Sequence, residues 1–271
     1  MRSILWLCIA IVAIPIADFA QQSEPLDSRV TAVLARMASS DRGTRNSAFD
    51  DLVGVITEGQ QLGFDPEYSS LLAAFLARNP EQADRVKLGL INLLKADNVD
   101  TTLPAGYTAE DNSEHYAAAI DLVSSLNDDR AIPALVGALG TGGMATGGVI
   151  KYGEKALGPV LSALNNPNLL VRSAAVGTAV TILRIKNDVA SQDQILGLIR
   201  TAIHDREFLI RSAALYQIDN LTDQKEFAPA LQEFVPALEE MAQRDPFVLQ
   251  RETRYPLRDR AKKLLDKITN H

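Results

Sequence analysis

The hexapeptides Leu170-Val171-Arg172-Ser173-Ala174-Ala175 and Leu209-Ile210-Arg211-Ser212-Ala213-Ala214 differ at one position and start 39 residues apart. Self-similarity at that period marks a stacked helical array, in which each unit hides its apolar faces against its neighbours. After the first hexapeptide anchor, Val171, Ala174, Ala175, Ala179 and Ile182 form one stripe of a 3.6-residue helix. The same offsets after the second anchor give Ile210, Ala213, Ala214, Ile218 and Leu221, and near the C-terminus Leu257, Arg260, Ala261, Leu265 and Ile268. Arg260 in place of the first alanine predicts a terminal helix packed on one side only.

Each striped helix follows another apolar segment: Ala131 to Leu139, Ala156 to Leu164, Ile195 to Ile203, and Phe234 to Met241. Pro133, Pro159 and Pro236 are expected in first turns, where a missing N–H costs little. Asn165-Asn166-Pro167-Asn168, His204-Asp205 and Arg244-Asp245-Pro246 supply the turns and N-caps between partners. The unit is therefore helix, tight turn, helix.

Residues 128–268 resemble HEAT-type repeats, in particular the variety named for its similarity to phycobilisome lyases. The residues that carry this are Asp128-Asp129-Arg130-Ala131-Ile132-Pro133-Ala134-Leu135, then Tyr152-Gly153-Glu154-Lys155-Ala156-Leu157, then the two hexapeptides. The family motif places an Asp in the turn before the Arg. Asp205 and Asp245 match it, whereas the first copy has Asn166 and Asn168. The resemblance implies an all-α fold, a right-handed alpha-alpha superhelix built as a HEAT-like solenoid of helical hairpins. It implies a binding platform and says little about activity.

The first half is more divergent. Val30, Val33, Leu34 and Met37 make one stripe, and a degraded repeat turn runs from Asp41 to Ala48 ahead of Phe49, Leu52 and Val55. Further helices are expected from Pro80 through Leu94 and around Ala118 to Leu126. The expected organisation is 1–20 signal peptide, 21–127 divergent helical repeats and 128–271 HEAT-like repeats ending in a capping helix. An alternative makes the first half a separate helical domain, with Asp97 to Thr108 as linker. No sheet is expected.

Arg2, the apolar run from Ile4 to Ile16 and Ala20 before Gln21 have the pattern of a secretory signal. The run is shorter than the ~20 residues that span a bilayer. An uncleaved anchor is the alternative, and only then would the protein meet a membrane. The expectation is export to a periplasm or the exterior. The single cysteine, Cys8, and single tryptophan, Trp6, both lie within this segment, so the mature chain has no thiol chemistry. A net charge of −7 argues against nonspecific nucleic-acid binding.

Apparent chemical motifs dissolve on inspection. The segment Gly140 to Lys151 contains Gly140-x-Gly142-x-x-Ala145, but a dinucleotide fingerprint needs a preceding strand. A short, glycine-loosened helix from Ala145 to Tyr152 is expected instead. The acidic stretch from Asp97 to Asp129 lacks calcium-loop spacing and reads as a solvated face. The basic residues of the last helix surround it, as on a cap's outer side. His115, His204 and His271 are far apart, so no metal site is expected, and His204-Asp205 has no nucleophile beside it.

The expectation is a non-enzymatic scaffold without a cofactor. Its second helices would line a concave face that binds a protein or peptide. Lys151, Tyr152, Arg184 and Tyr216 are the candidate contacts, while Arg172, Asp205 and Arg211 are assigned to repeat packing. The alternative, from the lyase resemblance, is a lyase-like or chaperone-like factor acting on a cofactor-bearing protein.

Overall fold

A computed structural model describes residues 25–58, 67–249 and 254–269. The expected signal segment and His271 lie outside the described residues. Among the described residues no helix is long and apolar enough to cross a membrane. The only strand-like pairing among them is one isolated bridge between Leu249 and Arg254.

The chain folds as helical hairpins in series. The first is α1 (Leu26–Met37) with α2 (Arg42–Thr57). Next, α3 (Tyr68–Arg78) precedes the pair α4 (Pro80–Asp97) and α5 (Ala109–Ser125). Then come α6 (Ile132–Gly137) with α7 (Gly143–Ile150), α8 (Glu154–Ala163) with α9 (Leu169–Lys186), and α10 (Val189–Ile203) with α11 (Phe208–Thr222). The short α12 (Ala228–Leu231) leads into the last pair, α13 (Val235–Arg244) and α14 (Pro256–Thr269).

Local chemistry sets the boundaries. The Asp41 side chain accepts from Thr44 N at 2.7 Å and starts α2. Thr108 and Asp111 form a capping box at α5, and Asn168 and Asp188 cap α9 and α10. Asn187 ends α9 in the left-handed region, with φ 52°. Pro133 and Pro236 sit in first turns as expected. Pro159 does not: α8 begins at Glu154, before the apolar run, so Pro159 lies inside the helix.

The second helices pack in sequence, α5 on α7, α7 on α9, α9 on α11 and α11 on α14. The first helices follow suit from α1 to α4, α6 and α8, but α8 and α10 do not form such a packed pair. One core cluster runs from Val30 to Ile182, and a second runs from Val176 to Ile268. The clusters meet at α9. Val171, Ala175, Ala179 and Ile182 serve the first, while Val176, Val180 and Leu183 serve the second. A single stripe therefore describes only half of each inner helix, because an inner helix is covered on two sides. In the capping helix Leu264 takes the fully buried place assigned to Leu265, which is half-buried, because α14 packs on both α13 and α11.

The glycine-rich segment serves packing. Gly142 has φ +94°, a conformation that L side chains rarely adopt, and it breaks the chain between two helical turns. Gly148 lets α7 meet α5 closely, since a Cβ there would lie 2.2 Å from Ser124 Oγ and 3.0 Å from Ser124 Cβ.

Candidate functional site

Three arginines occupy the same place in three turns of the stack, at the starts of α2, α9 and α11. Arg211 donates through Nη1 to the carbonyls of Asp205 and Arg206, at 2.9 and 2.8 Å. Arg172 donates to the carbonyls of Asn166 and Pro167, at 2.9 and 3.4 Å. Arg45 does the same with Ser39 and Ser40, both at 3.0 Å. In every case the acceptors are the residues six and five positions earlier. The guanidinium thus satisfies carbonyls of the interhelical turn.

The other edge of each guanidinium differs. Arg211 Nε donates to Asp245 at 2.7 Å and its Nη2 to the same carboxylate at 3.2 Å, a bidentate pair buried on both sides. Arg45, 2% exposed, donates to Asp97 at 2.8 Å and to Asp100 at 2.6 Å. Burial works against the Arg45 charge, but Asp100 and Asp97 outweigh it and raise its pKa. Thr102 and then Arg45 hold Asp100 well below the usual carboxylate range. For Arg172 no carboxylate among the described residues lies within 4.0 Å. Asp205, the counterpart of Asp245, accepts from Glu207 N at 2.8 Å just as Asp245 accepts from Phe247 N at 2.9 Å, but Asp205 makes no bond to Arg172.

The contacts correct the acidic-face reading for Asp97, Asp100, Asp111 and Asp128, while Glu110, Glu114, Asp121 and Asp129 are exposed as expected. Asp97 is 8% exposed and serves Arg45. Asp111 caps α5, and Asp128 accepts from Arg130, which holds its pKa at about 2. The degraded turn at Asp41 to Ala48 is a full member of the repeat, with Arg45, Ala48, Phe49, Leu52 and Val55 in the places of Arg211, Ala214, Leu215, Ile218 and Leu221. The signal for Asp97 was absent from local spacing because α3 intervenes, putting 52 residues between the partners.

Two grooves lie at equivalent levels. The groove beside Arg211 and Asp245, between α10, α11 and α13, has a volume of about 220 Å³. The groove beside Arg172 and Asp205, floored by α9 between α8 and α10, has a volume of about 560 Å³. Its walls combine Leu161, Leu164, Val176 and Leu198 with Asn165, Gln194 and Thr201.

The four candidate contacts belong to the second-helix row. Lys151 caps α7 and is exposed. Tyr152 is half-buried, and its hydroxyl accepts from Asp128 N at 3.3 Å. Arg184 is exposed near the end of α9 and lines a groove of about 350 Å³ with Ile185, Gln224 and Phe227. Tyr216 is 51% exposed, with the Arg260 guanidinium 5.4 Å from its ring centroid. Tyr152 is therefore engaged within the chain, and Arg184 and Tyr216 offer the freer surface. His204 is exposed at the end of α10. His115 is tied into the fold: its Nδ1 meets the Asp111 carbonyl at 2.8 Å, and its Nε2 meets Asp50 at 2.9 Å. Among the described residues no group of three His, Cys, Asp or Glu side chains is placed to hold a metal ion.

No family model matches this chain. No curated protein is similar to it at a significant level. Among solved structures, a designed armadillo repeat protein, YIII(Dq)4CqI, is similar at 17% identity, covering 88% of this chain and 99% of that one with a TM-score of 0.42. The stacked hairpins and the recurring arginine rung make this chain an all-α helical-repeat protein.

Proposed function

We propose that the protein is a non-enzymatic, HEAT-like scaffold of the phycobilisome-lyase-like type, exported from the cytoplasm, which binds a protein or peptide along its second helices. The observation that carries this reading is the row α7, α9 and α11. These helices pack in series and leave Lys151, Arg184, Ile185 and Tyr216 exposed along one row of equivalent elements. Exposed aromatic and arginine side chains are the types that anchor protein interfaces. The export part rests on the amino-terminal sequence pattern.

The test is a pull-down from envelope extract with the full chain and with an Arg184→Glu, Tyr216→Ala double variant. Loss of a specific partner from the variant supports the row as the binding face; equal recovery of every partner removes it. Mass spectrometry of the protein from its native cell reads the mature amino terminus, and an intact Met1 would refute cleavage.

A further inference from the structure

The repeat supplies its own template for the edge of Arg172 that no carboxylate among the described residues meets. One repeat later, Arg211 is completed by the Asp245 carboxylate. A stacked pair of rings accompanies that rung, two residues beyond the acid. Phe247 stacks on Phe208 with ring centroids 3.8 Å apart and planes 1° apart, which clamps the Asp245 turn against the start of α11. The corresponding residues one repeat earlier are Glu207 and Leu169, which cannot stack. Both acids accept from the N–H two residues on, but only Asp245 also reaches its arginine, and the groove beside Asp205 is more than twice as large.

We propose that this groove takes the carboxy-terminus of a peptide whose last side chain is apolar. The terminal carboxylate completes the Arg172 rung as Asp245 completes that of Arg211. The last side chain enters the floor between Leu161 and Leu198. Asp205 accepts a peptide N–H, so its charge faces a donor and not the incoming carboxylate. A peptide backbone also offers hydrogen-bond partners to the second Asp205 oxygen and to Gln194, which a simple alkyl acid lacks. The groove lies on the first-helix side, so this inference extends the peptide-binding reading to a second face and has a separate test.

The experiment is calorimetric titration of the full chain with the acetylated tetrapeptide Gly-Gly-Gly-Leu as free acid. The controls are its carboxamide, octanoate, and an Arg172→Met variant. The expected result is saturable binding of the free acid that weakens by about tenfold or more in the carboxamide and in the variant. A second variant, Leu169→Phe with Glu207→Phe, imports the clamp and is expected to weaken binding to a similar degree. Absence of saturable binding by the free acid, equal binding of acid and carboxamide, or an Arg172→Met variant that binds as well as the parent overturns the proposal. Octanoate binding as tightly as the peptide also overturns it, in favour of an alkyl carboxylate. None of these outcomes touches the second-helix row, whose pull-down uses different residues.

Discussion

Two arginines in nearly identical hexapeptides are expected to differ greatly in what they contribute to stability. Replacing Arg211 by Met leaves the Asp245 carboxylate, 3% exposed at its side chain, with Phe247 N at 2.9 Å as its remaining donor. Removing one partner of a buried pair costs about 3–5 kcal/mol. Replacing Arg172 by Met strands no acid. It removes bonds to two turn carbonyls at a half-buried edge that water can reach, a loss of about 1 kcal/mol. The difference of about 2 kcal/mol or more is on the order of thirtyfold in the unfolding equilibrium. Urea titration followed by circular dichroism reads it as a midpoint lowered by roughly 1–2 M for Arg211→Met and far less for Arg172→Met. Arg45→Met, which strands the buried Asp97, should behave like Arg211→Met. Adding Asp245→Met to Arg211→Met should recover much of the loss, because the stranded charge is gone. Equal losses for Arg172→Met and Arg211→Met would refute the distinction between open and closed rungs.

Three further outcomes follow from the same contacts. Phe247→Ala should lose about 0.5–1.5 kcal/mol from the stack alone and should couple to Arg211→Met in a double-mutant cycle, while strict additivity would count against the clamp. Gly148→Ala should cost about 1–3 kcal/mol by forcing α7 from α5, with partial rescue by Ser124→Ala; a melting temperature unchanged from the parent would remove the close-approach role. Burial opposes the His115 charge, yet the Asp111 carbonyl and Asp50 carboxylate prevail and raise its pKa above the ordinary 6.5. Its contribution to stability is then complete below the unfolded value and is lost as pH rises through the folded one. Melting temperatures across that range should fall with pH in the parent and flatten in His115→Gln, and identical profiles would refute the assignment.

The apolar spacing after each Arg-Ser-Ala-Ala copy was enough to establish helices, their pairing and their order. A 3.6-residue stripe can be satisfied only by a helix laid on an apolar neighbour, and a repeat at a constant period makes that neighbour another copy. The turn carbonyls that Arg172 and Arg211 reach lie five and six residues earlier and so are local in sequence. What local spacing could not carry was everything set by a partner from another hairpin. The second apolar side of α9, the burial of Asp97 under Arg45 and the close seat of Gly148 on α5 all depend on residues brought together by the stack. The sharpest case is the pair of near-identical hexapeptides. Their arginines read alike along the chain, yet one is sealed by Asp245 and the other opens onto a groove. The Phe208–Phe247 stack that accompanies the sealed rung forms only once two helices and a turn have been folded against one another.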